Sequence, residues 1–148
     1  MNIPYNNIAI SALALQATVQ EAKELPISKL YLILPIILNK GLLKTFSATK
    51  CKIYGIEYVI VSQAKHFLNF NDRYYAFAPL STNALQMLLE SGYIALDDLG
   101  NCKSAKALPY NSKMGTRAKQ IYAAAGNVAD FLMHEKASNL YLNLRIEL

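Results

Sequence analysis

The sequence predicts a mainly α-helical chain with a small β-hairpin or sheet, of winged helix-turn-helix type, forming a single domain over residues 1–148. Three observations carry that expectation. Apolar residues recur at helical spacing over long stretches. One helix-like segment stops at a glycine and runs straight into two strand-like segments around a turn. Finally, 53% of the residues are hydrophobic and only 17% are charged, enough apolar material for one substantial core and more than a typical surface needs.

Ile8, Ala12, Leu15, Val19 and Ala22 follow one another at helical intervals, with Gln16, Gln20 and Lys23 lying off that stripe. They predict a first helix over about residues 7–23, capped by Asn6 or Asn7 and ended by Leu25-Pro26. The next stretch, LPISKLYLILPIILNKGLLKTF, is apolar on every side from Leu30 to Leu38 and reads as the buried centre of the fold. Ser28 is its expected N-cap and Gly41 its expected C-cap, and Pro35 either kinks the helix or marks a restart. SATKCKIYG reads as a loop. IEYVIVSQAKHFLNF follows as a third helix, with Ile56–Val61 β-branched enough to leave a strand open, and NDRYYAFA as a further helical turn capped by Asn71 or Asp72.

The stretch from Pro79 is the most informative. Ser81 or Thr82 is expected to cap a helix whose inner side is Ala84, Leu85, Leu88 and Leu89, and Gly92 to stop it at the C′ position. YIAL then reads as a strand, DDLGN as a turn and CKSAKAL as a second strand, the chain order of a winged-helix second half. A last helix is expected over about 112–134 on Ile121, Ala125, Val128 and Leu132, with Gly126 bending or breaking it. The tail LYLNLRIEL alternates strictly and predicts a strand added to the hairpin or to a partner's sheet.

Chemistry-bearing motifs are scarce. The chain holds no GxSxG, HExxH, P-loop or GxGxxG pattern, so no enzyme, no cofactor and no metal are expected. Cys51 and Cys102, with His66 and His134, contain the atoms of a Cys2His2 zinc site, but structural zinc ligands come in close pairs and these are isolated. Two reduced thiols in a cytoplasmic protein are the expectation. Asp97 and Asp98 sit in a turn, where paired carboxylates usually just solvate, and His66 has no evident acid or nucleophile beside it. No basic residue precedes the N-terminal apolar stretch, and Leu30–Leu38 is far shorter than the roughly 20 residues of a bilayer span, so neither a signal peptide nor a membrane segment is expected.

The formal charge of +5 is unevenly spread. Lys29, Lys40, Lys44, Lys50 and Lys52 form one stretch without an acid, and Lys103, Lys106, Lys113, Arg117 and Lys119 form another. The second group is the candidate contact surface for nucleic acid or an acidic partner. A recognition helix over 81–91 would present Asn83, Gln86, Met87 and Glu90, which lack the cations that anchor such helices on phosphates.

Leu25, Pro26, Leu32, Leu34, Pro35, Leu38 and Lys40 form a pattern that resembles the middle components of three-component ABC-ATPase systems, bacterial conflict systems that include Lamassu-type defence. Leu85, Leu89, Gly92 and Ile94, and then Lys113, Gly115 and Ile121, are similar to later stretches of that family, whereas TRAKQIYAAAG stands where the family has an aromatic-rich segment. The resemblance implies a small non-enzymatic subunit. Its implied partners are an SMC-like or Rad50-like ABC ATPase and an effector, often a nuclease, in a complex that senses phage or plasmid DNA. The alternative expectation is a freestanding winged-helix transcriptional regulator.

Overall fold

The structure, a computed structural model, describes residues 4–48 and 56–148. It is mainly helical with one small three-stranded antiparallel sheet. Helix α1 (Pro4–Ala22) lies at the centre and packs on α8 (Thr116–His134), on α7 (Phe70–Glu90) and on the short α3 (Ile33–Ile37). Ala14 and Ala17 of α1 and Ala118, Ala124 and Ala125 of α8 are all buried. The helix begins at Pro4, so Asn6 and Asn7 lie within it rather than capping it. The predicted stripe is correspondingly too narrow. Ser11, Gln16 and Thr18 are buried along with the apolar residues, because α1 is surrounded rather than laid on a surface.

The apolar stretch that follows is three helices instead of one: α2 (Ile27–Leu30), α3 and α4 (Lys40–Ser47). Pro35 explains the first break. Inside a continuous helix its ring would collide with the carbonyl of Tyr31. By stopping at Leu30 and restarting at Ile33, the chain places Pro35 in the first turn of α3, where amides have no helical acceptor. Every residue of α3 is buried, as expected for the fold's centre. Ser28 is not a cap; Pro26 occupies the N-cap position of α2. Gly41 is not a C-cap either. It is the second residue of α4, which turns by 103° from the line of α2 and α3 and is capped by Asn39, whose Oδ1 accepts from Leu42 N at 3.0 Å.

The segment from Ile56 is helical, but α5 (Ile56–Ser62) and α6 (Ala64–Phe67) are separated at Gln63. Arg73 secures the next turn by donating to the carbonyls of Leu68, His66 and Pro35 at 3.0, 2.9 and 3.3 Å. Helix α7 then starts after Asn69, not at a cap on Asn71 or Asp72, and runs unbroken through Pro79 to Glu90. Ser81 and Thr82 are therefore interior residues. Pro79 is tolerated on the exposed side, and Thr82 Oγ1 bonds back to Ala78 O at 3.1 Å. Gly92 is the C′ residue, as expected. Its φ is 78°, with Tyr93 N donating to Leu88 O at 3.0 Å and Gly92 N to Leu89 O at 3.2 Å.

Strands β2 (Ile94–Leu96) and β3 (Asn101–Ser104) form the predicted hairpin, paired from Ile94↔Ser104 to Leu96↔Cys102. The third strand is β1 (Glu24–Pro26), the segment read as a helix terminator. It pairs with β3 in the register Glu24↔Lys103 and Leu25↔Cys102, giving the order β1-β3-β2. The tail does not join this sheet. Residues Ala137–Asn143 form helix α9, burying Leu140, Leu144 and Ile146 while Leu142 and Leu148 stay exposed. Tyr141 holds it by donating to Ser28 O at 2.6 Å and meeting the Tyr74 hydroxyl at 3.0 Å. Before α8, the predicted helix start at 112 is a 3₁₀ turn (Ser112–Met114) closed by Gly115 at φ 95°; beyond it, α8 continues through Gly126 without a break. Among the described residues no single helix is long and apolar enough to cross a membrane.

Candidate functional site

Side-chain partners decide which of the ten basic residues in the two acid-free stretches are available to a ligand. Lys103 stands in the middle of β3 between Glu24 and Asp97, with Nζ 3.8 and 3.7 Å from their carboxylates. Lys106 lays its ammonium 4.3 Å from the centroid of the Tyr93 ring and within 3.4 Å of Ser91 O. Both predicted hairpin cations are thus already engaged within the chain. Lys29 is buried, and its Nζ donates to Glu135 O at 2.7 Å, capping the C-terminus of α8. Burial pulls its pKa down, and the Glu135 carboxylate partly offsets that. Lys50, Lys52 and Cys51 lie outside the described residues.

Lys113 is exposed in the 3₁₀ turn, and Arg117 and Lys119 are exposed in the first turns of α8. Arg117 lines a concavity. This cleft of about 580 Å³ lies between α4 and α8, walled by Ile37, Leu38, Leu43, Lys40, Lys44, Arg117 and Gln120. The structure therefore brings one member of the second basic stretch against two members of the first. Lys40 and Lys44 are one helical turn apart on α4, a spacing visible in the sequence; their meeting with Arg117 is a product of tertiary packing.

The remaining candidates are structural. The Asp97 carboxylate accepts from the amides of Asn101 and Leu99, each at 2.9 Å, and the Asn101 amide above all holds its pKa below the ordinary carboxylate value. Asp97 thereby shapes the turn between β2 and β3. The His66 ring occupies the space that a Cβ on Gly41 would take, and His134 is exposed in the last turn of α8. Cys102 is fully buried, and its thiol is pushed up to about 11 by desolvation and by Asp97. No group of three or more His, Cys, Asp or Glu gathers among the described residues.

Two further arrangements escaped sequence reasoning. Gln16 and Gln20 use the face of α1 away from its apolar stripe to hold the segment after β3. Gln16 Nε2 donates to Lys106 O at 2.8 Å, and Gln20 exchanges bonds with the backbone of Leu108. That glutamine pair replaces the strand expected to run to residue 108. The second is an apolar edge built from α5, α6 and α9. Val61, Leu68 and Leu142 are 78, 67 and 76% exposed. They border two adjoining clefts of about 400 and 350 Å³ that share Ile60, Asn143 and Arg145.

A family model described as ABC-three component (ABC-3C) system Middle Component 3 matches residues 5–148. No curated protein and no solved structure matches the chain.

Proposed function

Because the chain belongs to the middle component 3 family of ABC-three component systems, we propose that it is a non-enzymatic accessory subunit bridging an SMC-like or Rad50-like ABC ATPase and an effector in an anti-phage or anti-plasmid complex. The observation that carries this reading is the apolar edge at Val61, Leu68 and Leu142. Three large side chains left to solvent around two continuous clefts make a surface that a water-facing monomer rarely keeps. Burying it against another subunit would gain about 25 cal/mol for each Å² of apolar area removed from water. Co-expression with an ABC ATPase subunit of a three-component system tests the proposal. The ATPase is expected to be captured with the tagged chain, and Val61→Asp with Leu142→Asp to lower the yield. Capture of no ATPase by the unaltered chain would refute the bridging role.

A winged-helix reading has its own support. Strand β1 follows α1, the hairpin β2–β3 follows α7, and the order β1-β3-β2 is that of a winged-helix sheet. The last ten residues of α7, ahead of the hairpin, expose Asn83, Gln86, Met87 and Glu90, with Gln86 bonded to Glu90 at 3.1 Å, and that stretch offers phosphate no cation. A regulator that reads an operator through this helix is accordingly the second choice. It would require steeply salt-dependent DNA binding that charge reversal at Lys103, Lys106 and Arg117 abolishes.

A further inference from the structure

The cleft between α4 and α8 has a composition that neither a solvated face nor a catalytic pocket requires. Its floor is aliphatic: Ile37 and Leu43 are buried and Leu38 is half-buried. Its rim is cationic on both sides, with Lys40 and Lys44 on α4 and Arg117 on α8, joined there by Gln120. All three cations are exposed, and none has a carboxylate within 4 Å among the described residues. All ten Asp and Glu residues of the chain belong to the described residues. Three like charges gathered without a counter-charge repel one another, and a negatively charged occupant relieves that repulsion. A volume of about 580 Å³ is in the range of ligand-binding concavities, roughly 300–1,000 Å³.

We propose that this cleft binds an acidic, leucine-bearing peptide segment of a protein partner, with Lys40, Lys44 and Arg117 meeting carboxylates and Leu38 and Leu43 covering the aliphatic side chain. The floor distinguishes this occupant from nucleic acid, since a phosphodiester backbone carries no aliphatic group to seat on Leu38 and Leu43. Lys40 and Lys44 also match two carboxylates one helical turn apart. Arg117 adds a planar fork suited to a carboxylate, and the Gln120 amide can bond to a peptide backbone. The site rests on the reading that the chain works through protein partners, but it lies on a different surface from the apolar edge.

The test is an amide NMR titration of the full chain with a short synthetic peptide carrying two glutamates one helical turn apart and a leucine between them. Shifts are expected at Lys40–Lys44 and Arg117–Gln120. The double variant K40E/K44E, altered only at exposed positions, should weaken the peptide by about tenfold or more. R117Q should weaken it less, and a peptide with glutamine in place of glutamate should bind poorly. Charge reversal at Lys103 and Lys106 should leave the response unchanged. Peptide binding indifferent to K40E/K44E, or shifts confined to other surfaces, would overturn the proposal. So would a DNA duplex that shifts these amides where the peptide does not. If K40E/K44E still captures the ATPase while the unaltered chain ignores the peptide, the cleft assignment falls and the subunit role stands.

Discussion

Arg145 closes helix α9 with a φ of 58°, in the left-handed region that favours glycine. The closure is a Schellman motif: Ile146 N donates to Tyr141 O and Arg145 N to Leu142 O, both at 3.1 Å, with Ile146 buried behind them. Gly92 does the same for α7 without the steric cost. Arg145→Gly is therefore expected to stabilise the fold by about 0.5–1 kcal/mol, read as a rise of about 2–3 °C in thermal midpoint. Cys102 gives a pH dependence of defined sign. Its folded pKa is raised from 9.0 to about 11, so the native thiol keeps its proton where the unfolded chain has lost it. That contribution is whole below pH 9 and disappears as pH rises to about 11. The destabilisation caused by Cys102→Ala should consequently shrink between pH 8 and pH 11 in denaturant titrations, and a constant difference would show that the thiol does not titrate this way. Gly92 and the burial of Cys102 follow from local rules: a glycine after a helical stripe, and an apolar thiol in a strand. Nothing local marks Arg145 as a helix end, because the burial of Ile146 imposes it.

Among the elements, α4 shows how local chemistry and distant contacts share one helix. Asn39 caps its N-terminus, while Asn127 of α8 donates from Nδ2 to Phe46 O at 2.8 Å near its C-terminus. Phe46 meets Phe131 edge-on, with ring centroids 5.5 Å apart. Asn39→Ala should cost about 1 kcal/mol in chemical denaturation, the usual loss for an N-cap side chain. It should also blunt the peptide response of the α4–α8 cleft, because Lys40 is the first residue of the helix. Two prolines act in opposite ways: Pro35 goes with a restart, one of its two expected outcomes, and Pro79 does not mark a helix start. Pro35 splits the apolar stretch because it must fall in a first turn, whereas Pro79 sits inside α7 without ending it. The same residue type breaks a buried segment and spares an exposed one, and burial is not local information. The alternating tail failed for a related reason. Leu140 and Leu144 are four residues apart, so the pattern also satisfies a helix, and packing against Tyr74 and Ser28 selected it.

At the level of the whole molecule, a charged fraction of 17% left apolar surface to be placed, and the fold places part of it on the α5–α6–α9 edge, at Val61, Leu68 and Leu142. The isolated chain is expected to self-associate through that edge. Val61→Lys with Leu142→Lys should raise the monomer fraction in sedimentation velocity; an unchanged distribution would assign the association to another surface. The sequence by itself determined the helical class, the hairpin after Gly92, the inner faces of α7 and α8, the excess of apolar material and the family pattern. Each of these rests on spacing or composition within one segment. Only the tertiary structure decided that Glu24–Pro26 is the third strand, that Gln16 and Gln20 hold residues 106–108, and that Arg117 joins Lys40 and Lys44. Those pairings join residues about 75–90 positions apart, and no local periodicity encodes which distant segment will satisfy a free strand edge, a buried amide or a cationic rim.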